Sequence, residues 1–360
     1  MPTFLTQDRR VWYPGKQGEM GVRPISDTRL YGLDALRFLT AVGVMVAHFG
    51  EWHYQDLTPA WRLLGALCVN IFFVISGLVI MRSVEAAPSN RKFLARRASR
   101  LYPAFIICFL FALMVKYVDH QTVSLLEILG NLTMLPRLLR IPEVNSAYWT
   151  LSCEWSFYLM VAATFFVIRR FPISVIIFWI ITGLATRIGG ATNPVVSILL
   201  NSNMAPLFAA GMVIHLVRSR DMRAATYALV VVVMVLASIG GTWGGPPWPG
   251  LGLSAAYLLL FAVCVGPVIA ASALRLPPRF SRLALVGGAA SYPLYLIHVP
   301  VAALITPPLV ALGFGSGAIM VSFMFAAIMI SLAISQKLEG PVRKMLTDGI
   351  GRARLIYAVR

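Results

Sequence analysis

The sequence predicts an all-α, polytopic membrane protein of about ten transmembrane helices with both termini in the cytoplasm. Hydrophobic residues make up 58% of the 360 residues and charged residues only 12%, half of the roughly 25% that soluble proteins carry. The net charge of +17 would suit a nucleic acid, but the basic residues lie in short runs between apolar stretches, as in membrane proteins. We therefore expect a lipid bilayer as the partner and no nucleic acid.

Ten apolar segments match the length of a membrane span. A transmembrane helix needs about 20 apolar residues to cross the hydrocarbon core, with a range of roughly 17–25. By that measure the predicted spans lie at 34–52, 62–82, 101–119, 148–168, 172–188, 203–218, 224–241, 252–272, 290–312 and 316–337.

The distribution of basic residues predicts the orientation of these spans. With the N-terminus in the cytoplasm, 25 of the 31 Lys and Arg residues fall in cytoplasmic segments and five on the other side. Cytoplasmic loops of membrane proteins carry such an excess. The predicted organisation is a cytoplasmic N-terminal tail at 1–33, a ten-helix domain at 34–338 and a basic cytoplasmic tail at 339–360.

The first 33 residues contain no apolar segment typical of a signal peptide, so the first span is expected to start insertion itself. This favours the inner (plasma) membrane of a bacterium as the location. The four cysteines all lie in predicted spans and form no CxxC pair, which indicates neither a metal site nor a disulfide framework.

Ionisable residues inside spans are candidates for function because each costs about 2.5–3.5 kcal/mol to insert at mid-helix. Arg37 and His48 are eleven residues apart in the first span, so both point to one face, about 16 Å apart along the axis. Asp34 lies one turn before Arg37 and is expected to pair with it. The alternative for Arg37 is a paired side chain that reaches the membrane interface.

Glu154 in the fourth span is expected at a depth that matches His48. It lies about 9 Å below the outer end of its span, and His48 about 6 Å below the end of the first. A carboxylate and an imidazole at one depth can form a general base and the group that orients it. The alternative is a polar contact that only joins two helices.

Two further groups leave a functional and a structural interpretation open. His298 forms an i, i+4, i+7 stripe with Ser291 and Tyr295 and either packs in the bundle or lines a substrate pocket. The basic loop with Arg96, Arg97 and Arg100 either sets topology and contacts anionic lipid or clamps a polyanion such as a nucleotide-bearing cofactor.

Five segments match the motifs of a known family in the family's order. They are GLDALRFLTAVGVMVAHF, NIFFVISGLVI, FLARRASRLYPAF, YWTLSCEWSFYLM and SYPLYLIHVPV. On these segments the chain resembles the acyltransferase-3 family, ten-helix membrane acyltransferases that acylate cell-surface glycans and some secondary metabolites. The resemblance covers roughly residues 31–340. The residues that carry the motifs are Arg37, His48, Phe72, Phe73, Ser76, Gly77, Arg96, Arg97, Arg100, Pro103, Trp149, Leu151, Glu154, Phe157, Tyr158, Ser291, Tyr292, Tyr295 and His298.

The chain departs from the family pattern at two positions. It has Asn70 where many members carry an acid before the Phe pair, and Trp155 where many have a second acid after the motif glutamate. These departures leave His48 and Glu154 in place but argue against a mechanism that needs a second carboxylate there.

The resemblance implies an O-acyltransferase that takes an acyl group, most often acetyl, from cytosolic acyl-CoA. The implied acceptor is a sugar hydroxyl on an exopolysaccharide, a lipopolysaccharide or a lipid-linked sugar. It implies that Arg37, Arg96, Arg97 and Arg100 hold the CoA phosphates, and that His48 is the general base, oriented by Glu154. The implied substrate-binding residues are Ser76, Tyr158, Tyr292, Tyr295 and His298.

Several alternatives remain open at this point. Acylation could pass through an acyl-enzyme on Ser76, Cys153 or His48, or the acceptor could be a secondary metabolite. A proton-coupled transporter or flippase would also use intramembrane Glu and His residues, but it predicts internal symmetry that the sequence lacks. A non-catalytic partner in glycan export would need neither the facing Arg37 and His48 nor the basic loop.

Overall fold

The computed structural model describes residues 10–14, 20–24, 29–188, 198–201, 204–219 and 253–346. A short antiparallel hairpin comes first, with Arg10–Pro14 (β1) paired to Met20–Pro24 (β2), where the sequence predicted no strand. From Tyr31 onward the regular structure described is helical: α1 Tyr31–His53, α2 Thr58–Ala86, α3 Asn90–Val118, α4 Leu125–Leu132, α5 Trp149–Ala163, α6 Phe165–Arg170, α7 Pro172–Ile188, α8 Ala205–Ser219, α9 Leu253–Ala273, α10 Pro278–Ala311 and α11 Ser316–Ala333.

Five helical stretches are long and apolar enough to cross a membrane. They are Tyr31–His53, Thr58–Ala86, Asn90–Val118, Pro278–Ala311 and Ser316–Leu346. The spans predicted at 172–188, 203–218 and 252–272 are helical as well, as α7, α8 and α9. The span predicted at 224–241 lies outside the described residues.

The fourth predicted span, 148–168, is not one continuous helix. It is divided at Thr164 into α5 and α6, and Phe171 separates α6 from α7. At Thr164 both the backbone N–H and the hydroxyl donate to the Met160 carbonyl at 3.0 Å, and back-bonds of this kind often bend helices. Pro172, at the first position of α7, cannot donate a backbone N–H and fits a helix start.

Glycines let the central helices approach each other closely. α2 packs against both α1 and α8, and α1 also packs along α10. At the crossing of α2 and α8, a Cβ on Gly77 would lie 2.0 Å from the Phe208 carbonyl oxygen, and one on Gly211 1.9 Å from that of Val74. Small residues at such crossings allow backbone contact, which supports association of membrane helices.

Gly211→Ala is therefore expected to destabilise the bundle. The added methyl group has to push α2 and α8 apart, and overpacking of this kind typically costs about 1–3 kcal/mol. The matched control is Gly266→Ala in α9, where a Cβ meets nothing within 4 Å. Thermal unfolding of the purified variants in detergent checks the prediction: the midpoint should fall for Gly211→Ala and not for Gly266→Ala. Equal midpoints would contradict the close crossing.

Helix α10 contains prolines, and one of them leaves a carbonyl without its usual helical hydrogen bond. Pro300 has no N–H to donate to the Leu296 carbonyl, its partner one turn earlier. Asn145 Nδ2 donates to that oxygen instead, at 2.8 Å. The segment before α5 is thereby tied to the turn of α10 that carries Tyr295 and His298.

Candidate active site

Two cavities lie between the helices, and three arginines line the first of them. This arginine cavity has a volume of about 110 Å³. We define it by Arg37 of α1, Ser76 of α2, Arg97 and Arg100 of α3, Glu154 and Tyr158 of α5, and Tyr292 of α10. The basic motif, the motif glutamate and the lower end of the predicted α1 stripe thus meet at one site.

The carboxylate in the arginine cavity has hydrogen-bond partners of its own. The Ser76 hydroxyl donates to Glu154 Oε1 at 3.3 Å, and the Tyr158 hydroxyl donates to the same oxygen. Arg37 lies 3.9 Å from Asp34, the partner that the spacing predicts, but Asp34 is also bound by Arg29 at 2.7 Å. Arg37 therefore shares its carboxylate and keeps part of its hydrogen-bonding capacity for the cavity.

Two buried polar atoms in the wall of the arginine cavity lack a partner among the described residues. They are Arg97 Nε and the Tyr292 hydroxyl oxygen. Buried polar groups are nearly always hydrogen-bonded, so an unpartnered donor in a cavity wall is available to a bound molecule. A guanidinium prefers an oxyanion such as phosphate.

Arg96 is placed differently from the other arginines of its loop. Its guanidinium donates to the Ala86 carbonyl at 3.1 Å, and it lies outside the described lining of the arginine cavity. The sequence pairs Arg96 with Arg100 on one helical face, whereas the structure places Arg97 and Arg100 together. Arg96 thus helps to close the junction between α2 and α3.

The second cavity contains the predicted base. This histidine cavity, of about 300 Å³, is defined by His48 and Glu51 of α1, Trp61 and Arg62 of α2, and Trp149 of α5. Arg62 forms an ion pair with Glu51 at 2.7 Å. Trp61 Nε1 is buried without a hydrogen-bond partner among the described residues. Aromatic faces with a few polar groups are typical of small-molecule sites.

His48 is hydrogen-bonded to His298, not to Glu154. His48 Nδ1 lies 2.9 Å from His298 Nε2, and His298 Nδ1 lies 2.7 Å from the Tyr295 carbonyl oxygen. The two imidazole rings are within 19° of parallel, with their centroids 5.0 Å apart. The expected pairing of His48 with Glu154 is therefore corrected: no hydrogen bond joins them in the described part of the chain, and they line different cavities.

A thin wall separates the two cavities. Val69 and Tyr295 line both of them. The Tyr295 hydroxyl donates to the Ala147 carbonyl at 3.2 Å and lies 3.1 Å from the Thr150 hydroxyl oxygen. The ring of Phe72 packs edge-on against Tyr295 with centroids 5.9 Å apart. Tyr295 is held from three sides in the wall that the two cavities share, between the arginines and His48.

The predicted substrate-binding residues divide between these places. Ser76, Tyr158, Tyr292 and Tyr295 line the arginine cavity, and Tyr295 lines both. His298 is 1% exposed and lies behind His48 rather than in a cavity wall. The residues that the sequence did not single out are Glu51, Trp61 and Arg62 in the wall of the histidine cavity, and Trp149 was named only as a motif residue. Glu51 lies two residues after the first motif and Trp149 lies within the fourth, and these positions were the available signal.

Comparison of the chain with known proteins identifies its family. A family model described as an acyltransferase domain, Acyl_transf_3, matches residues 30–336. The chain belongs to the acyltransferase-3 family. It is accordingly a transferase of acyl groups other than aminoacyl groups, and its apolar helices make it a multi-pass membrane protein.

Relatives of this acyltransferase-3 protein are distant. It is 26% identical over 325 residues to "Exopolysaccharide production protein ExoZ" of Rhizobium meliloti (strain 1021), covering 85% of this chain and 97% of that protein. It is 27% identical over 175 residues to "Acyltransferase MdmB" of Streptomyces mycarofaciens, 44% of this chain and 45% of MdmB. It is 27% identical over 150 residues to "O-acetyl transferase" of Shigella phage Sf6, 35% of this chain and 43% of that protein. The chain thus matches less than half the length of the last two. No solved structure matches the chain.

Proposed function

We propose that this acyltransferase-3 protein transfers an acyl group, acetyl in the first instance, from cytosolic acyl-CoA to a sugar hydroxyl of an exopolysaccharide or lipopolysaccharide. It would do so in a bacterial inner membrane, with ten spans and both termini in the cytoplasm. The observation that carries the proposal is the contact of an arginine-lined cavity with a histidine-lined one across a single wall. The near full-length match to ExoZ supports a polysaccharide acceptor over a secondary metabolite.

The arginine cavity is the proposed donor site. Arg37, Arg97 and Arg100 converge there, and Arg97 Nε has no partner among the described residues. Planar guanidinium groups bind phosphate oxygens with two parallel hydrogen bonds, which suits the phosphates of CoA. A cavity of about 110 Å³ accepts only a slender part of that molecule. Arg100 is exposed and would meet the nucleotide end at the mouth.

The histidine cavity is the proposed acceptor site. Trp61 and Trp149 offer aromatic faces, while Glu51 and Arg62 offer hydrogen-bonding groups that suit sugar hydroxyls. In the proposed reaction His48 removes the proton from the acceptor hydroxyl. At the same time the hydroxyl oxygen attacks the carbonyl carbon of the thioester. The tetrahedral oxyanion collapses to the ester, the carbon–sulfur bond breaks, and the proton passes from His48 to the departing thiolate.

Glu154 has a different proposed role from the one expected from depth alone. Through Ser76 and Tyr158 it forms a polar cluster inside the arginine cavity. There its negative charge offsets part of the charge of the three arginines. We propose that the cluster positions the thioester end of the donor, so that Glu154 acts on acyl-CoA binding and not on His48.

Release of free CoA by the purified, full-length protein tests the proposed function. Acetyl-CoA is supplied in detergent, with and without de-O-acetylated exopolysaccharide, and free thiol is measured. The expected result is CoA release that rises with the acceptor, together with new O-acetyl groups on the polysaccharide. Succinyl-CoA in a parallel reaction reports the choice of acyl group. A protein that leaves acetyl-CoA untouched but moves protons or sugar across vesicles would contradict the proposal and support a transporter.

A further inference from the structure

His298 is a buried, titratable side chain that the reaction proposed above does not yet use. It is 1% exposed, and both of its ring nitrogens have a partner: His48 Nδ1 at 2.9 Å and the Tyr295 carbonyl oxygen at 2.7 Å. We infer that His298 is a positioning residue that fixes the tautomer of His48, so that His48 Nε2 carries the lone pair that accepts the proton. This inference rests on the proposed function of His48 as a base.

The Tyr295 carbonyl determines where the protons of both rings lie. A carbonyl oxygen only accepts hydrogen bonds, so His298 Nδ1 is the donor to it. A neutral imidazole carries one N–H, so His298 Nε2 holds a lone pair and accepts. The facing His48 Nδ1 must then be the donor across the 2.9 Å contact. His48 Nε2 is left as the bare nitrogen of that ring.

The neutral state of His298 follows from its surroundings. Its ring faces His48 and Tyr295, and no carboxylate is hydrogen-bonded to it among the described residues. Glu51, the carboxylate in the wall of the histidine cavity, is paired with Arg62. Burying an unpaired cation costs several kcal/mol, which disfavours an imidazolium at His298.

The same chain of hydrogen bonds supports the charge that forms during transfer. When His48 Nε2 takes the proton of the acceptor, His48 becomes an imidazolium whose Nδ1–H still points at His298 Nε2. A hydrogen bond from a charged donor is about twice as strong as a neutral one. His298 therefore stabilises the protonated base without a buried negative charge beside it.

The anchor of this chain is built into α10. The carbonyls of Tyr295 and Leu296 both accept hydrogen bonds from side chains, His298 and Asn145 respectively. They lie in the turn before Pro300, where the helical ladder loses a donor. Asn145 thus helps to hold the turn that presents His298 to His48.

The test reads the tautomer directly, by two-bond proton–nitrogen correlation on the full-length protein labelled with ¹⁵N-histidine. The chain has five histidines, and the signals of His48 are those that disappear in His48→Gln. We expect a protonated Nδ1 and an unprotonated Nε2 for His48 in the wild-type protein. A His48 that carries its proton on Nε2 would overturn the inference, whether or not the protein transfers acyl groups.

Two variants separate positioning from packing. His298→Leu removes the acceptor, so the His48 tautomer should lose its bias and kcat for acetyl-CoA should fall about 100-fold, with KM changed little. His298→Gln offers an amide oxygen to His48 Nδ1 and should therefore keep the wild-type tautomer of His48. Its kcat should stay within about tenfold of the wild-type value. Equal kcat and tautomer in His298→Leu and wild type would overturn the inference.

Failure of the inference and failure of the proposed function give different results. A wild-type protein with the expected His48 tautomer but no CoA release leaves His298 as the positioning partner and contradicts the acyltransferase mechanism. An active protein with the opposite His48 tautomer would support the acyltransferase mechanism and overturn the inference about His298. If His298→Leu does not fold, as judged by size exclusion, the His48 tautomer in the wild-type protein and in His298→Gln still tests the inference.

Discussion

His48→Ala is expected to lower kcat for acetyl-CoA turnover at least about 100-fold, which is roughly 2.7 kcal/mol of activation barrier. His48 lines the histidine cavity and is the proposed base for the acceptor hydroxyl. A positioned base typically accelerates a reaction about 100- to 10,000-fold. The free thiol released per minute by purified variants at saturating acetyl-CoA measures the change.

His53→Ala is the matched control for that substitution. His53 ends the same helix and stacks on Phe49 with ring centroids 4.2 Å apart, so the change also removes an imidazole from α1. It lies outside the described lining of both cavities and should keep kcat near the wild-type value. Equal losses in both variants, or no loss in His48→Ala, would make His48 a structural residue.

Arg97→Met is expected to raise the dissociation constant for CoA at least about tenfold. Hydrogen bonds from charged groups contribute about 1.5–3 kcal/mol, and 1.4 kcal/mol is a tenfold change. Arg97 lines the arginine cavity with an Nε that has no partner among the described residues. Titration calorimetry with CoA measures the constant without dependence on the acceptor.

Arg96→Met distinguishes a binding site from a general basic surface. Arg96 and Arg97 are adjacent and carry the same charge, but Arg96 donates to the Ala86 carbonyl outside the cavity lining. The control should bind CoA within about threefold of wild type, since exposed charges contribute little. Arg97→Lys should recover only part of the affinity because an ammonium lacks the planar fork of a guanidinium. Equal weakening by Arg96→Met and Arg97→Met would refute a defined donor site.

Helical periodicity within one helix was enough to predict how two of the site residues are arranged. Arg37 and His48 share a face of α1, and the structure places one in the arginine cavity and the other in the histidine cavity. The ionic contact of Arg37 with Asp34 also followed from the spacing. These features depend on one helix only, so no knowledge of its neighbours was needed.

The lateral neighbours of each helix were not predictable in the same way. Depth in the membrane put Glu154 level with His48, but depth says nothing about which helices lie side by side. The structure packs α1 along α10, which brings His298 to His48, while α5 turns Glu154 towards Ser76. The division at Thr164 was likewise not predicted, because the apolar composition of 148–168 does not mark it.

The wall formed by Val69 and Tyr295 bears on the energetics of the cell as well as on the reaction. Under the proposed function the protein lies in an energised membrane, where each elementary charge that crosses gains about 2.3 kcal/mol per 100 mV. Two water-filled cavities that joined end to end would conduct protons down that gradient. Tyr295, which is bonded to Ala147 and packed on Phe72, stands between the two cavities and would limit such a proton path. Under the proposed function, the acyl group would then pass this wall with little loss of the proton-motive force.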